Sequence, residues 1–305
     1  MLSMLGKRSS RWTCLRTLEG HGHWVNDIAF GPDGRILASA SSDQSVILWD
    51  QAAGRSLGVL SGHTDTVTSV AFNSTGSLLA SAGWDQTIRL WDPASRQCIR
   101  TLEGHSGWIL ALAFGQSSPI LASAGADRTV RLWDTVTGRC VGILEGHSDD
   151  VNSVALSPDG HLVASGSQDR SVKVWDAASG KCLRTLEGHA NWVNDVAFSS
   201  DGRILVSAGQ DHTIRIWDGA SWGLTRTIKA HTRPVEAIAV SSTGKLVASA
   251  GGDRTIGLWD PASGRAIGTL EGHTQGVRGI AFSPSGKLLA SAGVDKSIRI
   301  WGAAS

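Results

Sequence analysis

The chain has 305 residues, enough for two ordinary domains, and a formal net charge of +1 from 28 Lys and Arg against 27 Asp and Glu. Without a basic excess, the composition argues against a nucleic-acid backbone as the main partner. No apolar run approaches the ~20 residues of a membrane-spanning helix, and residues 1–11 lack the apolar core of a signal peptide. A soluble, cytoplasmic protein with no membrane partner is expected.

In chain order, residues 1–11 read as a short tail, mildly basic at Lys7, Arg8 and Arg11. Residues 13–19 follow, and Gly20-His21 then opens the first of seven copies of one unit. His21, His63, His105, His147, His189, His231 and His273 stand 42 residues apart without a slip. So do Trp49, Trp91, Trp133, Trp175, Trp217, Trp259 and Trp301. Such a period marks a chain that stacks one supersecondary unit too small to bury its own apolar face. Seven periods account for 294 residues, so one closed body over residues 12–305 is predicted in place of two domains.

The second copy shows the unit. Residues 67–72 are apolar and β-branched, and Asn73-Ser74-Thr75-Gly76 supplies turn chemistry. A second apolar run, 77–82, ends at the tight turn Trp84-Asp85-Gln86. A third, 87–91, closes in Trp91-Asp92, and a more polar fourth, 97–102, leads to Gly104-His105. Helical spacing is absent, so each unit is predicted to be a meander of four antiparallel strands. The first hairpin turn reads Pro32-Asp33-Gly34, Pro158-Asp159-Gly160 and Pro284-Ser285-Gly286 in other copies.

The ends choose between an open array and a ring. The last copy stops after its third strand, at Trp301-Gly302, whereas residues 13–19 match 181–187, a fourth strand. The N-terminal strand can therefore complete the last sheet and leave no inner edge unpaired. Cys98, Cys140 and Cys182 lie one repeat apart, with Cys14 two repeats before Cys98. Equivalent places in neighbouring copies are too distant for a disulfide, so buried or half-buried free thiols in a reducing compartment are expected.

These motifs resemble the WD40-repeat β-propeller family, in the very regular form of bacterial members. The shared elements are the Gly-His pair, the Ser-Pro-Asp-Gly-like hairpin, the Leu-Ala-Ser stretch, the turn Asp, and the Trp-Asp that ends the third strand. They run from Thr13 to Trp301. Departures are Ala230 for the Gly before His231, Gly302 for the Asp after Trp301, and Gly115-Gln116-Ser117-Ser118, which lacks the usual turn glycine. The resemblance implies an all-β, seven-bladed propeller with four antiparallel strands per blade.

Every copy also carries one His, Ser, Asp and Trp in fixed places. They are His21, Ser39, Asp43 and Trp49; His63, Ser81, Asp85 and Trp91; His105, Ser123, Asp127 and Trp133; and His147, Ser165, Asp169 and Trp175. The remaining sets are His189, Ser207, Asp211 and Trp217; His231, Ser249, Asp253 and Trp259; and His273, Ser291, Asp295 and Trp301. A catalytic triad needs its Ser exposed beside an oxyanion site, which seven equivalent copies between strands do not offer. The resemblance implies a structural hydrogen-bond network, and the donor and acceptor chemistry of the four side chains suits one. No copy groups His, Cys and carboxylates as metal ligands, and no cofactor motif stands out. A non-enzyme without metal or cofactor is expected.

Positions that differ between copies gather on one side, the top, which carries the His loops and the second-to-third turns. Before the first-strand Val or Ile the copies read Trp24, Thr66, Trp108, Asp150, Trp192, Pro234 and Gly276. After it they read Asn26, Thr68, Leu110, Asn152, Asn194, Glu236 and Arg278. Before the turn Asp they read Ser42, Trp84, Ala126, Gln168, Gln210, Gly252 and Val294. The resemblance implies that these positions contact ligands around the channel mouth. The candidate contacts are Trp24, Asn26, Trp84, Trp108, Leu110, Asn152, Gln168, Trp192, Asn194, Gln210, Glu236 and Arg278.

Exposed Trp is enriched at binding hot spots, so Trp24, Trp84 and Trp108 are the expected anchors for a peptide or protein partner of a monomeric propeller. The rival expectation is that the indoles fold down and cap the blades. Trp222, on the bottom, is left out of the contacts. A second functional expectation is the sensor part of a larger signalling protein. Any nucleotide-binding or kinase domain would lie outside this chain, which has no phosphate-loop or kinase signature. The even spacing also fits recent amplification or consensus-guided building, against which Gln116, Trp222 and Arg233 point to natural drift.

Overall fold

In a computed structural model of the chain, residues 12–116 and 118–303 are described. The tail expected over residues 1–11, and Ser117 of the third-copy turn, lie outside the described residues. The described residues contain strands, turns and no helix. They form seven four-stranded antiparallel sheets, the blades of a propeller, numbered here in chain order. Blade 1 comprises Val25–Phe30, Ile36–Ser41, Ser45–Asp50 and Arg55–Ser61, hydrogen-bonded in that order. Blade 7 takes Val277–Phe282, Leu288–Gly293 and Ile298–Ala303 from the C-terminal end and Trp12–Leu18 from the N-terminal end. There Leu18 pairs with Ile298 and Cys14 with Trp301, so the ring closes as the unmatched ends predict.

Gly302 explains itself at this closure. A Cβ at that position would come within 2.7 Å of Leu15 Cδ1 on the N-terminal strand. The Asp found in the other copies would have to displace that side chain. In blade 2 the second strand starts at Leu79, two residues later than expected. Ser77 stays in the turn instead, its hydroxyl 2.8 Å from Thr75 Oγ1 and 3.2 Å from Asn73 Nδ2.

Each core is shared between neighbours. Ala38, Ala40, Val46, Leu48 and Leu60 of blade 1 pack on Val67, Val70, Leu79 and Trp91 of blade 2. Small residues on one second strand thus face the large Trp of the next blade, which lets the sheets approach closely. Each Val or Leu side chain fully buried there contributes about 1.5–3 kcal/mol. Leu18, Ala290, Ala292, Ile298 and Ile300 meet Val25, Ile28, Leu37, Ile47 and Trp49 across the closing seam in the same way.

Burial falls from the inner strands outward. Ile36–Ser41 is buried along nearly all its length, whereas Arg139–Leu144, a fourth strand, is exposed at most positions. This gradient corrects the expectation for the cysteines. Cys14, Cys98, Cys140 and Cys182 are all exposed, because each lies on an outermost strand that no further strand covers.

Blade 6 contains three linked departures. A Cβ built on Gly20 would lie 2.9 Å from Trp49 Cη2, and one on Gly104 3.0 Å from Trp133 Cη2. Ala230 carries a real Cβ at this place, so Trp259 has to sit elsewhere. The room comes from Gly257, where other blades carry Arg89, Arg131 or Arg215. A Cβ built on Gly257 would lie 2.6 Å from both Cζ2 and Nε1 of Trp259. Trp259 is accordingly 9% exposed against 1–3% for its equivalents.

Candidate functional site

The seven His-Ser-Asp-Trp sets form one repeated network. In blade 1, His21 Nδ1 is 2.8 Å from Asp43 Oδ2, His21 Nε2 is 2.7 Å from Ser39 Oγ, and Trp49 Nε1 donates to Ser39 Oγ at 2.8 Å. The same contacts recur in blade 3 at 2.8, 2.7 and 2.8 Å and in blade 7 at 2.9, 2.8 and 2.8 Å. The partners assign the protons. Asp accepts from His Nδ1–H, so His Nε2 accepts from the Ser hydroxyl while Ser accepts from the indole.

This is the bonding order of a catalytic triad, yet Ser39, Ser81, Ser123, Ser165, Ser207, Ser249 and Ser291 are each 0% exposed. No substrate carbonyl can reach them. Burial alone would raise the pKa of Asp43 and Asp127, but hydrogen bonds from His21 and Ser45, and from His105 and Thr129, outweigh it. They hold both carboxyls well below the usual carboxylate range. Each Asp also braces its turn. The next residue (Gln44, Gln86, Arg128, Arg170, His212, Arg254 or Lys296) has φ between 64° and 75° without being Gly or Asn. That conformation costs roughly 1–2 kcal/mol per residue. Asp43 Oδ1 offsets it by accepting from Ser45 N at 3.0 Å and Ser45 Oγ at 2.6 Å.

At the top end of the channel one cavity of about 320 Å³ is lined by Trp24, Asn26, Trp84, Leu110, Asn152, Gln168, Trp192, Asn194, Gln210, Glu236 and Arg278. Eleven of the twelve sequence candidates therefore share one concavity. Trp108 does not line it. Its ring instead stacks on Trp84, with centroids 4.5 Å apart and planes 15° apart. Ser42, Thr66 and Thr68 line the cavity too, although small side chains at the same variable positions gave no signal in the sequence. The indoles of Trp24, Trp84, Trp108 and Trp192 keep 37–48% of their surface exposed. Trp24 lies beneath the Arg278 guanidinium at 4.8 Å and beside His23 at 5.0 Å.

The polar floor has a second role that the sequence did not reveal. Asn26 Nδ2 donates to Val67 O at 2.9 Å, and Thr68 Oγ1 to Ile109 O at 2.6 Å. Asn152 and Asn194 donate to Val193 O and Val235 O at 2.9 Å each. Each bond ties one blade to the next. Leu110, Glu236 and Arg278 occupy the same register without making that link. Arg278 reaches Asn26 Oδ1 at 3.3 Å across the closing seam. Burial pushes the Glu236 carboxyl up against the opposing pull of Arg278.

One step down the channel, a cavity of about 260 Å³ is bordered by Asp27, Ser69, Ser153 and Asp195. These side chains accept bonds from the backbone N–H groups of Val70, Leu112, Val196 and Ile238 in the following blades, at 2.8–3.1 Å. Blades 3, 6 and 7 carry Ala111, Ala237 and Gly279 there and lack the link. Among the described residues no group of three or more His, Cys, Asp or Glu could hold a metal ion, and no helix is long and apolar enough to cross a membrane.

Seven closed blades, each pinned by a buried Trp-Ser-His-Asp network around a channel with one variable mouth, define a repeat-built β-propeller. The family model for the WD domain, G-beta repeat (WD40) matches seven times, over residues 12–50, 54–92, 96–134, 138–176, 180–218, 222–260 and 264–302. The chain belongs to the WD40 family. It is 51% identical over 41 residues to nuclear distribution protein nudF 2 of Aspergillus clavatus, covering 13% of this chain and 9% of that one. It is 49% identical over 54 residues to vegetative incompatibility protein HET-E-1 of Podospora anserina, covering 17% and 4%. It is 33% identical over 48 residues to protein HIRA of Dictyostelium discoideum, covering 16% and 4%. The matched segments span less than a tenth of the length of each of these relatives.

Proposed function

We propose that the chain is a non-catalytic interaction scaffold, acting as a monomeric ring in a reducing, cytoplasmic compartment. It holds a peptide or protein segment on the top face, over the channel mouth. The observation that carries this is the set of part-exposed indoles of Trp24, Trp84 and Trp192 around one polar cavity, with Trp108 stacked behind Trp84. Large apolar rings beside hydrogen-bonding groups are the composition of a binding hot spot. Their exposure speaks against a purely capping role.

The test is capture of a partner from the source cell by the wild type and by the Trp84→Ala/Trp108→Ala variant. The variant should keep a nearly intact melting curve, losing only the stack's contribution of about 0.5–1.5 kcal/mol, and lose the partner. Unchanged capture would remove the top face from consideration. The second proposal is a sensor propeller within a larger signalling protein. It is favoured by the HET-E-1 match, which covers only 4% of that relative. A continuous reading frame that joins the propeller to a nucleotide-binding or kinase domain would select it.

A further inference from the structure

The lining of the top cavity is uneven around the ring, and the unevenness selects among segments. Blades 1 to 3 present Trp24, the Trp84–Trp108 stack and Leu110. In blades 6 and 7, Gly252 and Gly276 take places that Trp84 and Trp24 fill elsewhere, and the smaller Pro234 and Val294 take the other two. A Cβ built on Gly276 would lie 3.5 Å from Gly252 Cα, so the two backbones run side by side with no side chain between them. A Cβ built on Gly252 would lie 3.5 Å from Glu236 Oε1, which places that carboxylate beside the glycine pair.

The donor and acceptor census points the same way. Among the described residues, no hydrogen bond or ion pair engages the Glu236 carboxylate, and it borders the cavity. Gln168 donates to Asn152, and Asn194 to Val235 O, but their own amide oxygens remain free, as does the whole amide of Gln210. Arg278, whose charge acts on Glu236, is already occupied over Trp24 and at Asn26. Apart from Trp192, blades 4 to 6 therefore offer acceptors, one of them the Glu236 carboxylate, opposite the apolar groups of blades 1 to 3. An acidic segment would leave Glu236 facing like charge in a confined site. A basic one satisfies it, and charge-assisted bonds are the strong ones.

We propose that the segment bound on the top face carries a basic side chain, Arg or Lys, seated on Glu236 beside the Gly252–Gly276 pair. An apolar residue of the same segment then lies against the Trp84–Trp108 stack across the cavity. The assignment rests on the top-face scaffold proposed above. A planar guanidinium has five donors to share between Glu236 and the free amide oxygens around the cavity, whereas an ammonium has three.

The experiment pans a random peptide library displayed on phage against the whole chain, its Glu236→Gln variant and its Trp84→Ala/Trp108→Ala variant. A selected peptide is then made with Arg, Lys or Gln at its basic position and titrated by calorimetry. Selected peptides should share a basic residue at fixed spacing from a large apolar one. Binding should weaken about tenfold with Glu236→Gln or with Gln in the peptide, corresponding to a lost charged hydrogen bond. Gly276→Leu should also weaken binding by crowding the approach to Glu236, while its Cβ would meet only ordinary 3.5 Å contacts. Peptides without a basic residue, or acidic ones, held equally by wild type and Glu236→Gln but lost with the double Trp variant, would overturn the charge assignment and leave the top-face site standing. Peptides retained by the double Trp variant would overturn the top-face site itself. Failure to enrich any peptide would overturn both.

Discussion

Replacing Asp27 by Asn should stabilise the ring at neutral pH. Asp27 Oδ2 accepts from Ser69 Oγ at 2.8 Å and Val70 N at 2.9 Å in the next blade, and Oδ1 accepts from Ile28 N at 2.7 Å. Burial outweighs these bonds and pushes the carboxyl from 3.8 up to about 6. Asp195 is pushed to about 6 as well, by burial first and with the Asp27 charge adding to it. A folded-state pKa above the unfolded one means that the folded ring holds a proton the unfolded chain has released. The associated stability is complete below about pH 4, declines as pH rises to about 6, and is absent above that.

At 1.36 kcal/mol per pKa unit, the ionised Asp27 costs about 3 kcal/mol at neutral pH. Channel water still reaches the side chain, so this is an upper bound. Asn can keep both inter-blade bonds through its Oδ1, but its Nδ2 then faces the Ile28 N–H donor, a local loss of about 1 kcal/mol. The net gain is about 2 kcal/mol at neutral pH, or roughly 4 °C in melting temperature for a chain of this size. At about pH 4 the gain vanishes and a small loss remains. Thermal melts of wild type and Asp27→Asn across this range provide the assay. A variant equally destabilised at every pH would show that the carboxylate's bonds outweigh its burial, and would refute the reasoning.

Other expectations follow from the same contacts. Asp127→Ala should cost about 2–3 kcal/mol by orphaning buried His105, and partner capture should survive at temperatures where the variant is folded. The pH sign of this Asp is opposite to that of Asp27, because its carboxyl is held low. Its contribution is present above 3.8 and disappears as acid protonates it, so wild-type melts should fall below about pH 4. Gly257→Arg should destabilise blade 6 by roughly 1–3 kcal/mol through collision with Trp259, and adding Ala230→Gly should recover most of the loss. Strictly additive effects in that double-mutant cycle would break the proposed link. All four thiols should react with a disulfide reagent in the folded protein, and protection of any one would contradict its exposed place on an outer strand.

The period of 42 carried the architecture, down to the strand that closes blade 7, because register in a repeat is a property of spacing. What it could not carry were relations between blades. Asn26, Thr68, Asn152 and Asn194 look like free ligand contacts in sequence, yet each donates to a carbonyl 41 residues on. Leu110, Glu236 and Arg278 differ by lacking that bond, which no local pattern records. Asp27 and Asp195 escaped notice inside apolar strands. Comparison of the equivalent positions, Asp27, Ser69, Ala111, Ser153, Asp195, Ala237 and Gly279, holds the signal that would have found them. The cysteines were misplaced because residue type favours burial, while their outermost strand imposes exposure. Ala230 stands in sequence as an isolated departure, and only the position of Trp259 links it to Gly257.

The most direct test of the top-face account is a hydrogen-exchange footprint of a captured partner on the intact ring. Protection is predicted over the loops at residues 22–26, 64–68, 106–110 and 190–194 and the turns at 83–86 and 209–212. The bottom turns at 31–34, 157–160 and 283–286 should exchange as in the free protein. Protection confined to those bottom turns or to the outer strands, with the tryptophan-bearing loops unchanged, would contradict it.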